Sequence, residues 1–565
     1  MHPSIVAKRA WLLLFLAISA FYLCGLGSLP LVGPDEPRYA QVAREMLERR
    51  DFITPTLGGM PWFEKPPLLY WMMILSFRLL GVTEYAARLG PAVCGLITGL
   101  FVYWIGHAVG NSSNTIKQTD AGNSENRAIA RWSALVWLSS LGAIGFSRAA
   151  SFDIVLTMTV AGAFAFLVNY LVRPSAHGAT SSTSSPRYAK MALLAGFYFF
   201  VGLSTLAKGL IGLVIVFGVV ALYYVVRREL PRRELVTSVI WGIPLSLLVA
   251  GVWFIPMIAI HGWAFIDQFI IQHHFARFVS NKYHHPGPIY FYLPVVVSLA
   301  VPWTLGLGAA IISARRWAWR GQNALACLRV FALVWLIVPI VFFSFSGSKL
   351  TAYILPVLPA IALLVGERIS CALSVGRGEN LVRLTGAMLI GSAAAGYWYM
   401  HSHSDVTTGC LIIGAAPLAA VGAAALIRPQ LRNPLFVLNA AAVIVASAIV
   451  LKCAAPVVAR AESVRDLLTT AAARGYAATP IVQLHTIERT VEFYGSGRLT
   501  YQTDGEPVKF EGVMQVVEAA RRNNGVVLCF VPLQFEPQLI SFAGARTDVI
   551  ADNGRVALIA VRVKE

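Results

Sequence analysis

The side chains that could do chemistry in this chain are few, and they occur in short stretches at the ends of apolar runs. Only 13% of the 565 residues are charged, so each such stretch stands out. Carboxylates can accept a proton or stabilise a developing positive charge, whereas ammonium, guanidinium and phenol groups can hold a phosphate. The candidates for these tasks are Asp35, Glu36, Arg38, Glu64, Lys65, Asp153, Lys208, His273, His274, Arg277, Lys282, His284, His285, Lys349 and Tyr353.

The most highly charged stretch is "GPDEPRYAQVAREMLERRDF", residues 33–52, which follows the first apolar run directly. Its apolar residues recur at helical spacing, which predicts a helix that lies on the membrane surface. Asp35 stands at the start of this helix, next to Glu36 and close to Arg38. An aspartate at that position is typical of a helix cap, so capping is the simple alternative to a catalytic role.

Asp153 and Lys208 lie in apolar surroundings, in "RAASFDIVLTM" and "LSTLAKGLIGLVI". A charge at the bilayer centre costs about 2.5 to 3.5 kcal/mol, so both residues need a partner or a water-filled cavity. A single outward-facing site that contains Asp153 and Lys208 would supply both the partner and the cavity. The alternatives are that Asp153 caps its helix together with Ser151, and that Lys208 simply reaches the interface.

Three further stretches favour the head of an anionic lipid. In "WFEKPPLLYW", Lys65 lies beside an apolar trough, so its ammonium could pair with phosphate while a lipid chain lies along the trough. In "SFSGSKLTAYILPVLP", Lys349 and Tyr353 are one helical turn apart and could hold one phosphate from two directions. In "DQFIIQHHFARFVSNKYHHPGPIYFY", His273 and Arg277 would share one helix face. As alternatives, Lys65 and Tyr353 are also typical of ordinary interfacial residues.

The histidine-rich stretch leaves a metal site open. Its histidines could bind zinc together with Glu64, and the candidate ligands are Glu64, His273 and His274. Neighbouring histidines point to different faces, however, and no HxxxH or HxxEH spacing occurs. We expect that no cofactor is required, with a divalent metal such as zinc as the alternative.

The composition predicts a polytopic membrane protein. Hydrophobic residues make up 57% of the chain, the mean hydropathy is +0.65, and apolar runs of about 18 to 24 residues repeat along it. The net charge of +18 would suggest nucleic acid in a soluble protein. Here the basic residues lie mainly in short gaps between apolar runs, as in cytoplasmic loops, so we expect no nucleic-acid partner.

About thirteen spans are predicted. The basic gaps alternate with other loops, which places those other loops and all the candidate site residues on the outward side and leaves the C-terminus outside. The piece "PPLLYWMMILSF" (66–77) is too short to cross comfortably, so we assign it to the interface or to a re-entrant position. The predicted spans are an uncleaved first span within 1–29, then 90–109, 132–148, 153–172, 191–207, 209–226, 236–258, 290–313, 328–346, 350–366, 384–400, 409–427 and 434–452.

The sequence pattern changes near residue 457, where amphipathic helix patterns begin to alternate with short β-branched runs. We therefore expect a polytopic α-helical membrane domain over 1–456, with outward-facing juxtamembrane helices at about 30–82, and a soluble α/β domain over 457–565. The seven cysteines mostly lie inside apolar runs without CxxC spacing. They are expected to be packing residues, with no disulfide framework.

Together these motifs resemble the GT-C membrane glycosyltransferases that use polyprenyl-phosphate sugars. The resemblance rests on the first span, on "PDEPRYA", "FEKP", "AKG" and "SGSKLTAYIL", on an aspartate at a later outward span end, and on the C-terminal soluble domain. Within that group the chain is most similar to the 4-amino-4-deoxy-L-arabinose lipid A transferase family, over roughly residues 10–360. That family's acidic motif reads PDETRYA, so Pro37 replaces a threonine here.

The resemblance implies a GT-C fold and transfer of aminoarabinose from undecaprenyl phosphate to lipid A phosphates at the periplasmic face of the bacterial inner membrane, with polymyxin resistance. It also implies that Asp35 and Asp153 are needed for activity. A single attack at the anomeric carbon predicts inversion. With a phosphate acceptor these acids would bind the sugar, and with a hydroxyl acceptor Asp35 would be the base. The expected carrier-phosphate ligands are Lys65, Arg277 and Tyr353, with Lys208 and Lys349 as further candidates.

Two alternatives stay open. A protein O-mannosyltransferase-like enzyme would share the acids and the phosphate-binding residues. A transporter or flippase would instead spread its charged residues through several spans near the midplane, whereas here they collect at one face.

Overall fold

The computed structural model describes residues 3–113, 120–173, 185–276, 287–502 and 505–563. Helices dominate as far as residue 461, because a chain in lipid must satisfy its backbone hydrogen bonds internally. A π-helix over Ile266–Ala276 and a 3₁₀-helix over Thr351–Val357 interrupt the α-helices. The α-helices of this part are α1 Pro3–Leu23, α2 Asp35–Arg49, α3 Leu68–Leu80, α4 Glu84–Ser113, α5 Asp120–Leu138, α6 Leu141–Ser147, α7 Phe152–Leu171, α8 Ser185–Lys208, α9 Leu210–Arg227, α10 Arg233–Phe265, α11 Tyr292–Leu299, α12 Thr304–Ser313, α13 Ala324–Ser344, α14 Leu358–Ser374, α15 Glu379–His403, α16 Thr408–Ile427, α17 Arg432–Cys453 and α18 Ala455–Ala461.

Within the described ranges, nine helices are long and apolar enough to cross a membrane, and two bent pairs raise that number to as many as eleven. These eleven coincide with eleven of the thirteen predicted spans. The bent pairs are α5 with α6 and α11 with α12, with angles of 60° and 113°. The two remaining predicted spans correspond to helices that are not both long and apolar enough to be counted. They are α1, whose apolar part is short, and α15, which carries many small and polar residues. The protein is a multi-pass membrane protein.

The centre of the bundle is formed by α7, which is buried along nearly its whole length. It packs tightly against α8 through two reciprocal glycine contacts. A Cβ added at Gly162 would lie 2.5 Å from the ring of Phe200, and one added at Gly196 would lie 2.2 Å from the ring of Phe166. Only glycine permits this approach, so the position of Asp153 at the start of α7 is fixed by the packing of the helix behind it.

The predicted surface helix over 33–52 is α2, and its apolar side is buried, including Val42, Ala43 and Met46. The piece assigned to the interface is α3, an apolar helix of 13 residues. It packs against α2 and α4. A short antiparallel hairpin with two residues in each strand, β1 Thr56–Leu57 and β2 Met60–Pro61, lies between α2 and α3 in sequence.

The C-terminal part is an α/β domain, as the change of pattern near residue 457 predicts. Its five-stranded sheet has the order β4-β3-β5-β7-β6. Strand β3 pairs in parallel with β4 and β5, and β7 pairs antiparallel with β5 and β6. Apolar clusters cover both faces of the sheet. Its elements are α19 Arg465–Ala473, β3 Ile481–Leu484, α20 Thr490–Tyr494, β4 Lys509–Phe510, α21 Val513–Arg522, β5 Val526–Pro532, α22 Glu536–Ile540, β6 Ala545–Asp552 and β7 Val556–Val563.

The expectation of no disulfide is wrong at one position. A disulfide joins Cys410 to Cys453, which are 43 residues apart. The two cysteines lie at adjacent ends of the neighbouring helices α16 and α17. Sequence spacing gives no sign of this pairing, because an antiparallel helix pair brings distant residues together only in the fold.

Candidate active site

Helix α2 begins at Asp35, and the aspartate does not cap it. The N-cap position is Pro34, and no side chain caps the helix. Pro37 lies in the first turn, where its missing N–H costs no helical hydrogen bond. Asp35 is exposed. The capping interpretation of Asp35 is therefore wrong.

The neighbouring acid, Glu36, is buried and holds three elements together. Its Oε1 accepts hydrogen bonds from Arg88 Nε at 3.0 Å and from the Ala150 amide at 2.7 Å. Its Oε2 accepts from Arg88 Nη2 at 2.7 Å and from the Val32 amide at 3.1 Å. Burial alone would raise the pKa of Glu36. The charge of Arg88 and the hydrogen bonds from Arg88 and the two amides outweigh burial, so the pKa lies below its ordinary value. Glu36 thus stays ionised and joins α2, α4 and the segment that leads into α7.

Asp153 and Lys208 form an ion pair with each other. The Ser151 hydroxyl caps α7 by accepting from the Asp153 amide at 3.1 Å, so the Asp153 carboxylate is not needed for capping. The Lys208 ammonium also lies 4.6 Å from the centre of the Tyr353 ring. Each buried charge therefore has the partner that its apolar surroundings require.

Glu64 is the centre of a second charged group. Its Oε1 accepts from Lys65 Nζ at 2.6 Å, and its Oε2 lies 3.6 Å from Arg38 Nη1. Burial raises the pKa of Glu64, but Lys65, Arg38 and His273 outweigh burial and hold the pKa below its ordinary value. The Arg38 guanidinium also stacks 5.4 Å from the Trp62 ring. Glu64 therefore remains a carboxylate surrounded by cations.

These two charged groups meet at one small cavity, which we call the lysine cavity. Its volume is about 100 Å³, and two ammonium groups and a phenol face it beside apolar walls. A phosphate could bind between the cations while an attached chain leaves along the apolar side. The lining residues are Glu64, Lys65, Pro66, Lys208, Ile211, His273, Phe342, Phe343, Ser346 and Tyr353.

Three aromatic rings pack together where α2, α3 and α7 meet. Tyr39 lies one turn after Asp35, and its ring contacts Phe152 at 4.8 Å between ring centres. Tyr70 contacts the same ring at 5.2 Å. Burial raises the pKa of Tyr39, and the charges of Asp35 and Glu64 raise it further. The charges of both carboxylates therefore act on Tyr39.

Five of the predicted site residues line one cavity, namely Glu64, Lys65, Lys208, His273 and Tyr353. Lys349 does not line that cavity: its ammonium donates to the Ser346 carbonyl at 2.8 Å. The expected helical turn between Lys349 and Tyr353 is wrong, because Leu350 is extended and the 3₁₀-helix begins only at Thr351. The positions outside the described residues are Arg277, Lys282, His284 and His285, together with the side chain of His274.

Comparison with known proteins shows where this arrangement belongs. Residues 10–276 match the family described as dolichyl-phosphate-mannose-protein mannosyltransferase. A Pseudomonas aeruginosa protein named undecaprenyl phosphate-alpha-4-amino-4-deoxy-L-arabinose arabinosyl transferase is 29% identical over 424 residues, which are 72% of this chain and 70% of that protein. A Pseudomonas fluorescens protein of the same name, numbered 1, is 30% identical over 69% of this chain and 66% of its own length. The chain belongs to the ArnT family of GT-C membrane glycosyltransferases.

Solved structures agree on the fold of this family. Two crystal structures of ArnT from Cupriavidus metallidurans, one bound to undecaprenyl phosphate and one in the apo state, superpose with a TM-score of 0.75. Each covers 98% of both chains, at 22% and 21% identity. The similarity therefore extends through the C-terminal domain. Among the sequence relatives the matched length varies, and the chain spans 58% of the Yersinia enterocolitica protein of the same name.

Of the candidate metal ligands, the side chains of Glu64 and His273 belong to the described part of the chain. Both oxygens of Glu64 face cationic side chains, and His273 is the candidate ligand that shares its cavity. In the part of the chain that the structure describes, no group of three or more histidine, cysteine, aspartate or glutamate residues could hold an ion. A divalent metal stays a prediction, and no step below depends on one.

Sequence reasoning missed several residues that build the site in this member of the family. Arg88, the partner of Glu36, is an arginine near the start of an apolar span, and that position was the available signal. Tyr39 and Trp62 had no signal beyond their place next to charged residues. The contacts of the C-terminal domain with α2 had no sequence signal at all.

Proposed function

We propose that this protein transfers 4-amino-4-deoxy-L-arabinose from undecaprenyl phosphate to a phosphate of lipid A, at the periplasmic face of the bacterial inner membrane. The modified lipid A carries less negative charge and gives resistance to polymyxin and other cationic peptides. The observation that carries the proposal is the lysine cavity, in which Lys65, Lys208 and Tyr353 surround a space suited to a phosphate. The names of the relatives from Yersinia and Pseudomonas support the choice of sugar and carrier.

In the proposed reaction, a lipid A phosphate oxygen attacks the anomeric carbon of the sugar. The bond between that carbon and the oxygen of undecaprenyl phosphate breaks, and its electron pair stays on the departing phosphate. The donor phosphodiester becomes a monoester while the acceptor monoester becomes a diester, so charge and protons balance. A single displacement inverts the configuration at the anomeric carbon.

The cations act on the leaving group. Charge increases on the carrier phosphate as the bond breaks, and fixed cations in a site that excludes water stabilise that charge. In this proposal Lys65 and Lys208 do so, with the Tyr353 hydroxyl as a further donor. Their acidic partners, Glu64 and Asp153, hold both ammonium groups in place before the donor arrives.

The acids act on the sugar. A lipid A phosphate is already an anionic nucleophile, so no general base is required. Asp35 would therefore bind the sugar's ammonium group and stabilise the positive charge that develops at the anomeric carbon. Asp153 lies at the same face but shares its charge with Lys208, so its contribution depends on that pair.

The periplasmic orientation has support from the disulfide. The basic residues Arg428, just after α16, and Arg432, the first residue of α17, lie at the end of this helix pair opposite to Cys410 and Cys453. Basic loops face the cytoplasm, and disulfides persist in oxidising compartments such as the periplasm. Both rules therefore favour the periplasmic side for the helix ends that carry Cys410 and Cys453. If α15 crosses as the sequence predicts for 384–400, alternating passes through α14 and α15 bring the Tyr353 end of α14 to that side too.

The second candidate is a protein O-mannosyltransferase-like enzyme; the family match over residues 10–276 carries that description, but the relatives named above favour the aminoarabinose transferase. It would share the carrier-phosphate site but use a protein hydroxyl as acceptor. Asp35 would then be a general base. A transporter or flippase has no such support.

Mass spectrometry of lipid A distinguishes these functions. We would compare a strain that lacks the gene with the same strain carrying the wild-type gene, the Asp35→Asn variant or the Asp466→Asn variant. Asp466 is the matched control, because it is also an exposed aspartate in the first turn of a helix. We expect one added aminopentose per modified phosphate with wild type and Asp466→Asn, and none with Asp35→Asn. An unchanged lipid A profile with wild type, at normal expression, would refute the proposed function.

A further inference from the structure

The C-terminal domain contacts the catalytic helix α2 directly. Its short helix α20 packs on α2, and Phe493 lies in the same apolar core as the membrane helices. Arg44 of α2 stacks 4.3 Å from the Phe493 ring and donates to the Phe493 carbonyl at 2.9 Å. Gln41 Nε2 also lies 3.1 Å from the Ser496 hydroxyl. The domain is therefore fixed to the helix that begins at Asp35.

One side chain of α20 reaches past α2 to the segment before it. The Tyr494 hydroxyl accepts a hydrogen bond from the Leu31 amide at 2.7 Å and donates to Glu84 Oε1 at 3.0 Å. Arg465 Nη1 lies 3.3 Å from the same glutamate oxygen. Burial raises the pKa of Tyr494, and Glu84 raises it further, so the hydroxyl stays protonated and able to donate. We call Leu31, Glu84 and Tyr494 the tyrosine latch.

The latch adds a hydrogen bond from the C-terminal domain to a segment that the membrane domain also holds, because the Leu31 side chain is fully buried in the main apolar core. Residues 31–36 lead from the end of α1 into α2, and Gly33 within them has a φ of 67° and no neighbouring atom that would contact a Cβ. From the membrane domain, Arg88 Nη2 donates to the Pro30 carbonyl at 2.7 Å, and the Val32 amide donates to Glu36. From the C-terminal domain, Tyr494 holds the Leu31 amide. Loss of the latch would remove the restraint of the C-terminal domain on the chain just before Gly33, which lies two residues before Asp35.

We propose that Tyr494 is a positioning residue, through which the C-terminal domain sets the place of Asp35 in the active site. This inference rests on the proposed function and gives the C-terminal domain a part in it. Tyr494 touches neither the lysine cavity nor Asp35, so it acts through the Leu31 amide. A displacement of about 1 Å in a catalytic group can lower a rate by about 100-fold, so one lost hydrogen bond at this segment has a measurable effect.

The test is Tyr494→Phe, which keeps the ring and removes both hydrogen bonds. The matched control is Tyr476→Phe, because Tyr476 also lies in the C-terminal domain and its hydroxyl accepts from Arg562 Nη2 at 2.9 Å, away from α2. Each full-length variant would be assayed in vesicles with undecaprenyl-phosphate-linked aminoarabinose and lipid A. For Tyr494→Phe we expect kcat to fall by about 10- to 100-fold, with the donor KM within about threefold of wild type. For Tyr476→Phe we expect wild-type kinetics.

A second measurement follows the segment without using activity. Hydrogen exchange of the peptide that covers residues 31–36 should become faster in Tyr494→Phe and remain unchanged in Tyr476→Phe, at equal thermal stability. Faster exchange with wild-type kcat would overturn the positioning role, as would equal losses of kcat in both variants. A Glu84→Gln variant keeps an acceptor for Tyr494 and should retain most of the activity.

The two proposals can fail separately. If the wild-type protein transfers no sugar to lipid A, the proposed function is wrong, and exchange alone then decides whether the latch restrains the segment. If wild type is active and Tyr494→Phe matches it in kcat, the positioning role is wrong and the function stands. Unchanged exchange in Tyr494→Phe refutes the latch in either case.

Discussion

Replacing Asp35 by asparagine separates a catalytic acid from a structural one. The substitution keeps the size of the side chain and removes its charge. In the described part of the chain, no donor hydrogen-bonds to the Asp35 side chain, and the helix start has no side-chain cap. The variant therefore loses no hydrogen bond, and its fold should be intact.

Two magnitudes decide what the experiment measures. The loss in folding stability is limited to the attraction between the carboxylate and the helix N-terminus, about 0.3 to 1 kcal/mol for an exposed charge. The loss in catalysis is that of a group that stabilises charge developing in the transition state, about 10²- to 10³-fold in kcat, or about 2.7 to 4 kcal/mol. The catalytic effect is therefore several times the structural one.

The assay measures sugar transfer in vesicles together with thermal unfolding of the same preparation. For Asp35→Asn we expect transfer to fall at least about 100-fold while the unfolding temperature stays close to that of wild type. The control Asp466→Asn also neutralises an exposed aspartate in the first turn of a helix. It should leave both transfer and unfolding unchanged.

Two results would refute this reasoning. Transfer within a few-fold of wild type would show that the Asp35 charge does not act in the reaction. A fall in unfolding temperature far beyond that of Asp466→Asn would show that Asp35 stabilises the fold after all.

The remaining predictions concern the neighbouring charged groups. Glu36→Gln should destabilise the protein by about 3 to 5 kcal/mol, because it leaves a buried guanidinium without its anion, and thermal unfolding would measure this. Burial raises the pKa of Glu36, but its arginine partner lowers it more, so the folded pKa is below the unfolded value of about 4.3. The stability that the Glu36–Arg88 pair contributes is therefore fully present above about pH 4.3 and is lost as the pH falls through the folded pKa of Glu36. On acidification, wild type should therefore lose more stability than Glu36→Gln. Lys65→Ala should raise the donor KM by about 10-fold or more through loss of a charged hydrogen bond, whereas Lys452→Ala, at an exposed helix end, should not; steady-state kinetics with varied donor would decide. Asp153→Asn should raise the donor KM as well as lower kcat, because the Lys208 ammonium loses the carboxylate that holds it in place; a donor KM equal to that of wild type would show that Asp153 is not needed to place Lys208.

The sequence predicts those features of the fold and site that depend on periodicity and on the alternation of loops. Apolar runs become helices because lipid leaves the backbone no other choice. Alternating basic loops assign helix ends to two sides of the membrane, so the ends that carry Lys65, Lys208 and Tyr353 are expected to meet. The lysine cavity contains all three.

Features that depend on particular contacts across the fold could not be predicted. Asp153 and Lys208 are 55 residues apart, and their pairing follows from the packing of α7 on α8. Lys349 was expected to lie one helical turn before Tyr353, but extended backbone at Leu350 separates them. Pattern alone carries no information on such pairings, because each is set by the path of the chain between the residues.

The division of labour between Asp35 and Glu36 follows from hydrogen-bond capacity. An ionised carboxylate offers about four lone-pair sites. Glu36 accepts hydrogen bonds from Arg88 Nε and Nη2 and from the amides of Val32 and Ala150, two on each oxygen, so its acceptor sites are filled. It has no remaining capacity to bind a sugar ammonium. Asp35, one residue earlier and exposed, keeps its acceptor sites for a ligand. The sequence presents two adjacent acids of similar chemistry, and the fold uses one to build the site and leaves the other available to act in it.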